Sequence, residues 1–211
     1  MRLSRAGAFD VASMIIAYHI ILSGYGTWLS NDLRGSGSEQ TRKEELDALG
    51  PVHQGRQHIQ PPMQQIRAFF REAEPLLDFP VLWFSAGQRE AIARGIEIAV
   101  AKNCYTVFAF AICGNHSHAI VRRHRHTDIQ IRDALANSAR QSLIESGLLV
   151  DPTRPVWSSR PYAVYLNRPE EVVSRINYVV GNPEKEGLPR QTCDFVKPYD
   201  GWNPPGIIRP R

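Results

Sequence analysis

Two histidines at alternate positions, His116 and His118, lie in the run Gly114-Asn115-His116-Ser117-His118-Ala119-Ile120-Val121, directly after the apolar run Val107-Phe108-Ala109-Phe110-Ala111-Ile112. Apolar β-type residues on both sides of the pair predict strands. Residues i and i+2 of a strand point to one face, so both imidazoles can reach one metal ion. An ordinary polar pair on a sheet is the other reading of a lone His-x-His. A second stretch bears on the choice. The helix-like run over residues 169–182 holds Tyr178 and Asn182, four apart and therefore on one helix face. A tyrosine hydroxyl is a poor nucleophile at its free pKa near ~10, and it becomes useful where a cation polarises the electrophile. A divalent metal held by two imidazoles and an amide oxygen does that for a phosphodiester. The plainer readings are a helix tyrosine packed on the sheet and an asparagine capping a helix before Pro183. Spacing alone leaves both sets of readings open.

The elements that must position these residues can be read along the chain. Residues 1–10 read as a loose arm. Residues 14–23 are rich in β-branched side chains and end at Gly24, which predicts a buried first strand with Tyr18 and His19 on opposite faces. For His19 the expectation is a hydrogen-bonded core histidine rather than a ligand. Residues 24–62 are rich in Gly, Ser, Pro and charge and read as a loop-rich insertion or mobile flap, in which Arg34 and Arg42 could touch phosphate. A short helix is expected over 61–74, ended by Pro75, and a short strand over 81–84. Ser85 and Gln88 have the spacing of a capping box, opening a helix through Lys102. Residues 105–113 and 116–123 read as two strands turning at Gly114-Asn115, and so brief a turn makes them antiparallel. Thr127 caps a helix to Ser146, ended by Gly147. Residues 162–166 read as a strand, and Arg168-Pro169-Glu170-Glu171 opens the helix that carries Tyr178. The tail from Glu184, rich in Pro and Gly, is expected to lay Phe195, Tyr199 and Trp202 over the domain. No internal repeat and no second core are evident, so residues 1–211 read as one domain.

Charge and cysteine usage narrow the function classes. The formal net charge is +4, and the excess is uneven: residues 1–100 carry 10 Lys/Arg and 11 Asp/Glu, residues 101–211 carry 15 and 10. A positive half that also holds the histidines suits a polyanion such as DNA, although a solvated basic face gives the same count. Its densest segment is Arg122-Arg123-His124-Arg125-His126. There His124 and His126 read as phosphate contacts or plain surface before metal ligands, and Arg132 and Arg140 on the next helix could track a backbone. Cys104, Cys113 and Cys193 form no Cys-x-x-Cys pair, which fits a reducing cytoplasm. The apolar run over 11–22 is too short to span a membrane, and no small-residue cleavage site follows it, so no membrane partner is expected.

Taken together, these residues carry a family likeness. Ala17-Tyr18-His19-Ile20-Ile21, Tyr25-Gly26-Thr27-Trp28-Leu29, Arg34-Gly35-Ser36, Asn115-His116-Ser117-His118 and Tyr178-Val179-Val180-Gly181-Asn182-Pro183-Glu184-Lys185-Glu186-Gly187-Leu188 follow one another in order. The set resembles the single-tyrosine HUH endonucleases of the IS200-like and REP-associated tyrosine transposase group. That resemblance implies an α+β fold with a ferredoxin-like antiparallel β-sheet backed by helices. It implies Mg²⁺ or Mn²⁺ held by His116, His118 and Asn182, and Tyr178 as the nucleophile on single-stranded or hairpin DNA. The products would be a 5′-phosphotyrosine and a free 3′-hydroxyl, and rejoining would complete strand transfer. Arg34, Arg122, Arg123, His124, Arg125, Arg132 and Lys185 are the expected DNA contacts. Some relatives act as monomers and others as dimers, so a homodimer is within what the resemblance implies. One departure is Ser117, where the group carries a bulky hydrophobic residue. Alternation turns Ser117 away from the histidine face, so it should cost packing of ~1–3 kcal/mol and leave ligation intact. Two other functions fit the same residues: a hairpin-binding protein that has lost catalysis, and a metal hydrolase that uses water.

Overall fold

The structure, a computed structural model, describes residues 14–36, 44–55, 57–158, 162–202 and 204. Strands β1 (Ala17–Ser23), β2 (Val107–Ile112), β3 (His116–Arg122) and β4 (Tyr162–Leu166) form one sheet in the order β2-β3-β1-β4. Every neighbouring pair is antiparallel. Helices α1 (Met63–Ala73) and α2 (Ala86–Asn103) lie between β1 and β2, and α3 (Asp128–Glu145) between β3 and β4. Helix α4 (Pro169–Val180) and the single turn α5 (Asn182–Lys185) follow β4. With α2 and α3 as the two crossovers, this is the ferredoxin-like βαββαβ arrangement, an α+β fold.

Alternation along the strands divides the sheet into two apolar faces. Tyr18, Ile20, Leu22, Phe110, Ile112, Ala119 and Val121 meet α2 and α3 through Ile92, Ile96, Ile131, Leu135 and Leu143. Ala17, Ala109, Ala111, Ile120 and Leu166 meet α4 through Val172 and Val179. The two covering helices start at the expected places. The Ser85 hydroxyl accepts the Gln88 N–H while the Gln88 side chain accepts the Ser85 N–H, and Thr127 with Gln130 repeats the pattern. The helices α2 and α3 cross closely at Gly95, whose carbonyl accepts a 2.6 Å hydrogen bond from the Ser138 hydroxyl.

Strand β2 is an edge strand, yet it is buried along its length. The tail accounts for this. Gln191 donates to the Ile112 carbonyl at 2.6 Å and accepts the Ile112 N–H at 2.8 Å. Further on, the Lys197 N–H bonds the Val107 carbonyl, Phe195 packs on Phe110 and Tyr199 on Phe108. Tail contacts of this kind cover an edge that would otherwise invite pairing with another chain.

Several boundaries differ from expectation. Strand β1 begins at Ala17 rather than Met14, and β3 ends at Arg122. Strand β2 begins at Val107 because the Tyr105 N–H is still engaged by the Val100 carbonyl at the end of α2. Residues 81–84 form no strand: Leu82 and Phe84 each donate one backbone bond, to Tyr25 and Gly114, and no ladder develops. Pro75 does not end the first helix sharply but sits in a 3-10 turn, Glu74–Leu76. Within the insertion, a 3-10 turn at Glu44–Leu49 places Leu46 with Leu29 against Phe69 and Ala73, a small third core that anchors this segment. Arg42, the N-terminal arm and the end of the tail lie outside the described residues. None of the helices among the described residues is long and apolar enough to cross a membrane.

Candidate active site

The register brings three imidazoles to one face. On β1 and β3, Ser23 stands opposite His116, Ile21 opposite His118 and His19 opposite Ile120. Cross-strand partners share a face, so His19, His116 and His118 all point toward the layer of α4. His19 Nε2 lies 3.0 Å from His118 Nδ1, and both rings are buried. The rings of His116 and His118 meet edge to face with centroids 4.7 Å apart. Ser117 is turned to the other face, opposite Leu22 and Ile112 in the α2–α3 core.

Helix α4 lays the Tyr178 ring across this cluster, 5.8 Å from the His118 ring and 6.1 Å from the His19 ring. Tyr178 is 43% exposed, so its ring seals the imidazoles on one side and meets solvent on the other. The Arg175 guanidinium and the Lys185 ammonium stand 5.6 and 5.0 Å from its centroid. Both cations thus stand against the Tyr178 ring and make its surroundings positive.

The helix break after Val180 determines where Asn182 sits. Asn182 does not cap α4 before Pro183, as one sequence reading had it. Gly181 takes the cap position, and Asn182-Pro183 opens the new turn α5. Proline suits that first position because its missing N–H would have had no helical partner. Asn182 is buried, and its Nδ2 has no hydrogen-bond partner among the described residues. A half-turn of the amide would present Oδ1, a metal-ligating atom, in the same place.

Burial holds the imidazoles neutral. His118 is pushed down to about 2 by burial first, then by His116, His19 and Arg175. His19 is pushed down to about 4 by burial and by Arg175. His116 is also lowered by burial, against an opposing pull from Glu186. Neutral imidazole is the form that ligates metals. Among the described residues, His118 Nε2 and His19 Nδ1 are buried without a hydrogen-bond partner. A neutral ring with one nitrogen bonded and the other unclaimed suits a metal ligand. The chemistry of His118, a buried neutral imidazole with one nitrogen unclaimed, is compatible with ligation of a divalent cation.

Sequence reasoning left three residues of this neighbourhood unassigned, Arg175, Cys113 and Glu186. His19 is the buried, hydrogen-bonded histidine that the sequence suggests, and strand register sets it against His118. Arg175 carried no sequence signal. Cys113 and Glu186 join His116 in a cluster whose ligand atoms all lie within 4.8 Å of one another, a second possible grouping for a metal. A Cys-x-x-His spacing ending in His116 was its available sign. Glu186 Oε2 accepts the Gly114 N–H at 2.9 Å, and Oε1 is 3.9 Å from His116 Nδ1, which itself lies 2.8 Å from Asn115 Oδ1. The Cys113 thiol is pushed up to about 12 by burial and by Glu186. It is thus protonated at neutral pH and a poor ligand as it stands.

The expected DNA contacts separate into groups. Only Lys185 stands at the phenol. Arg123, His124 and Arg125 line an open cavity of about 780 Å³ with Met14, Asn103, Cys104, Trp202 and Pro204. Arg122 is stacked on Trp202, 3.8 Å from the ring centre. This group lies at the far end of β3 from His116, roughly 20 Å away at ~3.3 Å per residue. His126 is held by the Tyr105 hydroxyl at 2.8 Å. Arg34 is paired with the buried Asp32, donates to the Thr27 carbonyl and lies over Trp28. Arg132 pairs with Asp133 on α3, the helix that covers the sheet face opposite the histidines. Neither Arg34 nor Arg132 is brought to the imidazole cluster by any contact among the described residues.

The fold and site thus define an α+β protein with a ferredoxin-like sheet and a histidine–tyrosine cluster under one helix. No known family profile matches the chain, and no curated protein matches it. Among solved structures, the chain is similar to a REP-associated tyrosine transposase bound to a REP hairpin, with TM-score 0.44 and 11% identity over 89% of this chain and 76% of that one. It is also similar to a Deinococcus radiodurans R1 protein carrying a provisional transposase assignment, with TM-score 0.37 and 11% identity over 86% of this chain and 97% of that one.

Proposed function

We propose that the chain is a metal-dependent single-stranded DNA endonuclease and strand transferase of the single-tyrosine HUH kind, acting on hairpin DNA. The observation that carries this reading is the packing of the half-exposed Tyr178 on His118, whose Nε2 is buried and unclaimed. Lys185 and Arg175 at the phenol would hold a phosphate within reach of the Tyr178 hydroxyl. His116, His118 and Asn182 would hold Mg²⁺ or Mn²⁺, which supplies Lewis-acid polarisation of the phosphodiester when bound. Tyr178 Oη bonds to phosphorus as the bond to the 3′-oxygen breaks. The phenol gives up its proton and the departing 3′-oxygen gains one, which leaves a 5′-phosphotyrosine. The distal cluster Arg122, Arg123, His124 and Arg125 would then contact phosphates well away from the scissile one. A homodimer is compatible with this activity.

Incubation with single-stranded hairpin DNA and Mn²⁺, followed by a denaturing gel, tests the reading. We expect a covalent protein–DNA adduct and a free 3′-hydroxyl strand. Tyr178→Phe removes one oxygen and keeps the ring, so hairpin affinity should survive while nicking and adduct both vanish. Nicking that persists without an adduct in Tyr178→Phe would point to a hydrolase using water. Hairpin binding without nicking in the wild type would point to a binding protein that has lost catalysis.

A further inference from the structure

The contact between His19 and His118 has a consequence for ligation. The two facing nitrogens, His19 Nε2 and His118 Nδ1, are 3.0 Å apart. Two neutral imidazoles bond at that distance only if one nitrogen carries a hydrogen and the other a lone pair. If His118 Nδ1 carries the hydrogen, its Nε2 is a lone pair, free to ligate. If His19 Nε2 carries it, His118 Nε2 is left as a buried N–H with no acceptor and cannot ligate. His118 Nε2 has no partner among the described residues that would resolve this otherwise.

We propose that His19 is a positioning residue, accepting the Nδ1–H of His118 and so presenting His118 Nε2 to the cation. This rests on the metal-dependent reading above and adds a residue which that reading leaves outside the site. The arrangement is the one by which a ligating histidine is oriented through its second nitrogen, and loss of such a partner typically weakens metal affinity about 10–100-fold. The imidazole of His19 is well suited to this task. It is held on the central strand β1, hydrogen-bonded to strands on both sides, and Tyr178 covers it from above. It cannot turn away without disturbing the nucleophile's own packing.

The experiment compares Mn²⁺ affinity, measured calorimetrically without DNA, in the wild type, His118→Ala, His19→Gln, His19→Asn and His19→Phe. Imidazole ¹⁵N spectra of the Mg²⁺-loaded protein are recorded alongside. Glutamine places an acceptor oxygen about where Nε2 stood, whereas asparagine has the same polarity and falls one methylene short. We expect His19→Phe and His19→Asn to bind Mn²⁺ 10–100-fold more weakly and His19→Gln to recover most of the loss. The spectra should show His118 with hydrogen on Nδ1 in the wild type and in His19→Gln. The Gln–Asn comparison keeps the test sharp if the phenylalanine variant fails to fold. Equal Mn²⁺ affinity in all three His19 variants, with binding abolished in His118→Ala, would overturn the positioning role alone. Wild-type spectra with hydrogen on His118 Nε2 would overturn it too. Wild-type affinity in His118→Ala would overturn the metal-site reading itself, and the role of His19 with it.

Discussion

Burial makes the histidine cluster a pH-sensitive part of the structure even without metal. His19 and His118 have their proton affinities depressed in the folded state, so below the ordinary histidine value the unfolded chain binds more protons than the folded one. Stability is therefore full above pH ~6.5 and is lost as pH falls from there toward about 4, where His19 begins to charge in the folded protein as well. His118 extends the same loss to lower pH. The expected decline is on the order of a few kcal/mol. Urea melts in EDTA between pH 7.5 and 4.5 check this, and His19→Gln should make the profile shallower, with the loss that His118 contributes remaining. A flat wild-type profile would mean that the cluster is solvated. At the same scale, Tyr178 lies between functions. Its ring packs on imidazoles, as a structural tyrosine would, and its exposure leaves the hydroxyl available to a substrate.

At the scale of the elements, two contacts set the sheet and its cover. A Cβ on Gly95 would lie 2.5 Å from both Ala139 Cα and the Ser138 carbonyl oxygen. These are backbone atoms of α3, so a side chain at 95 must separate the two helices. Gly95→Ala would gain about 1 kcal/mol of helix propensity and lose ~1–3 kcal/mol or more through overpacking. We expect a lower melting temperature, and an unchanged one would mean the helices part freely. Gln191 is the other contact. Its side chain satisfies both backbone groups of Ile112 on the edge strand β2. Gln191→Ala would leave two polar groups unpaired beside Cys113, at a cost of about 1–3 kcal/mol. Faster amide exchange at Ile112, with little change in β1, is the expected signature. Exchange at Ile112 equal to wild type would show that other parts of the tail hold that edge.

Across the whole molecule, the basic residues and the tyrosine cluster sit toward opposite ends of β3. A strand that engages both must span roughly 20 Å along the sheet. Under the proposed function, this makes Arg122, Arg123 and Arg125 anchors for a segment several nucleotides from the cleaved bond. The triple alanine variant should bind hairpin DNA more weakly, with similar losses across sequences. Its log–log salt slope should fall by about 2, near ~0.7 per phosphate contact on single strands. Cleavage at saturating DNA should change little, because the positive surroundings of Tyr178 are made by Lys185 and Arg175 instead. An unchanged salt slope would return these arginines to solvated surface.

Local chemistry in the sequence determined much of this protein. The capping box at Ser85, the cap at Thr127, alternation around His116 and His118, the Gly114-Asn115 turn and the proline opening α4 all act within a few residues, and each is found where it was read. The turning of Ser117 away from His118 follows from the same period of two. What the sequence did not determine depends on partners distant along the chain. Residues 81–84 have strand character but no neighbouring ladder to join, and the Asn182-Pro183 step reads as a stop yet opens another turn. The face occupied by His19 follows from its pairing with β3, 99 residues away. Arg34, which reads as a phosphate contact, is engaged by a buried aspartate, and Arg132 faces away from the histidines because α3 covers the other side of the sheet. Register and layer assignment are long-range choices made by burial, and only the folded chain records which imidazole meets which.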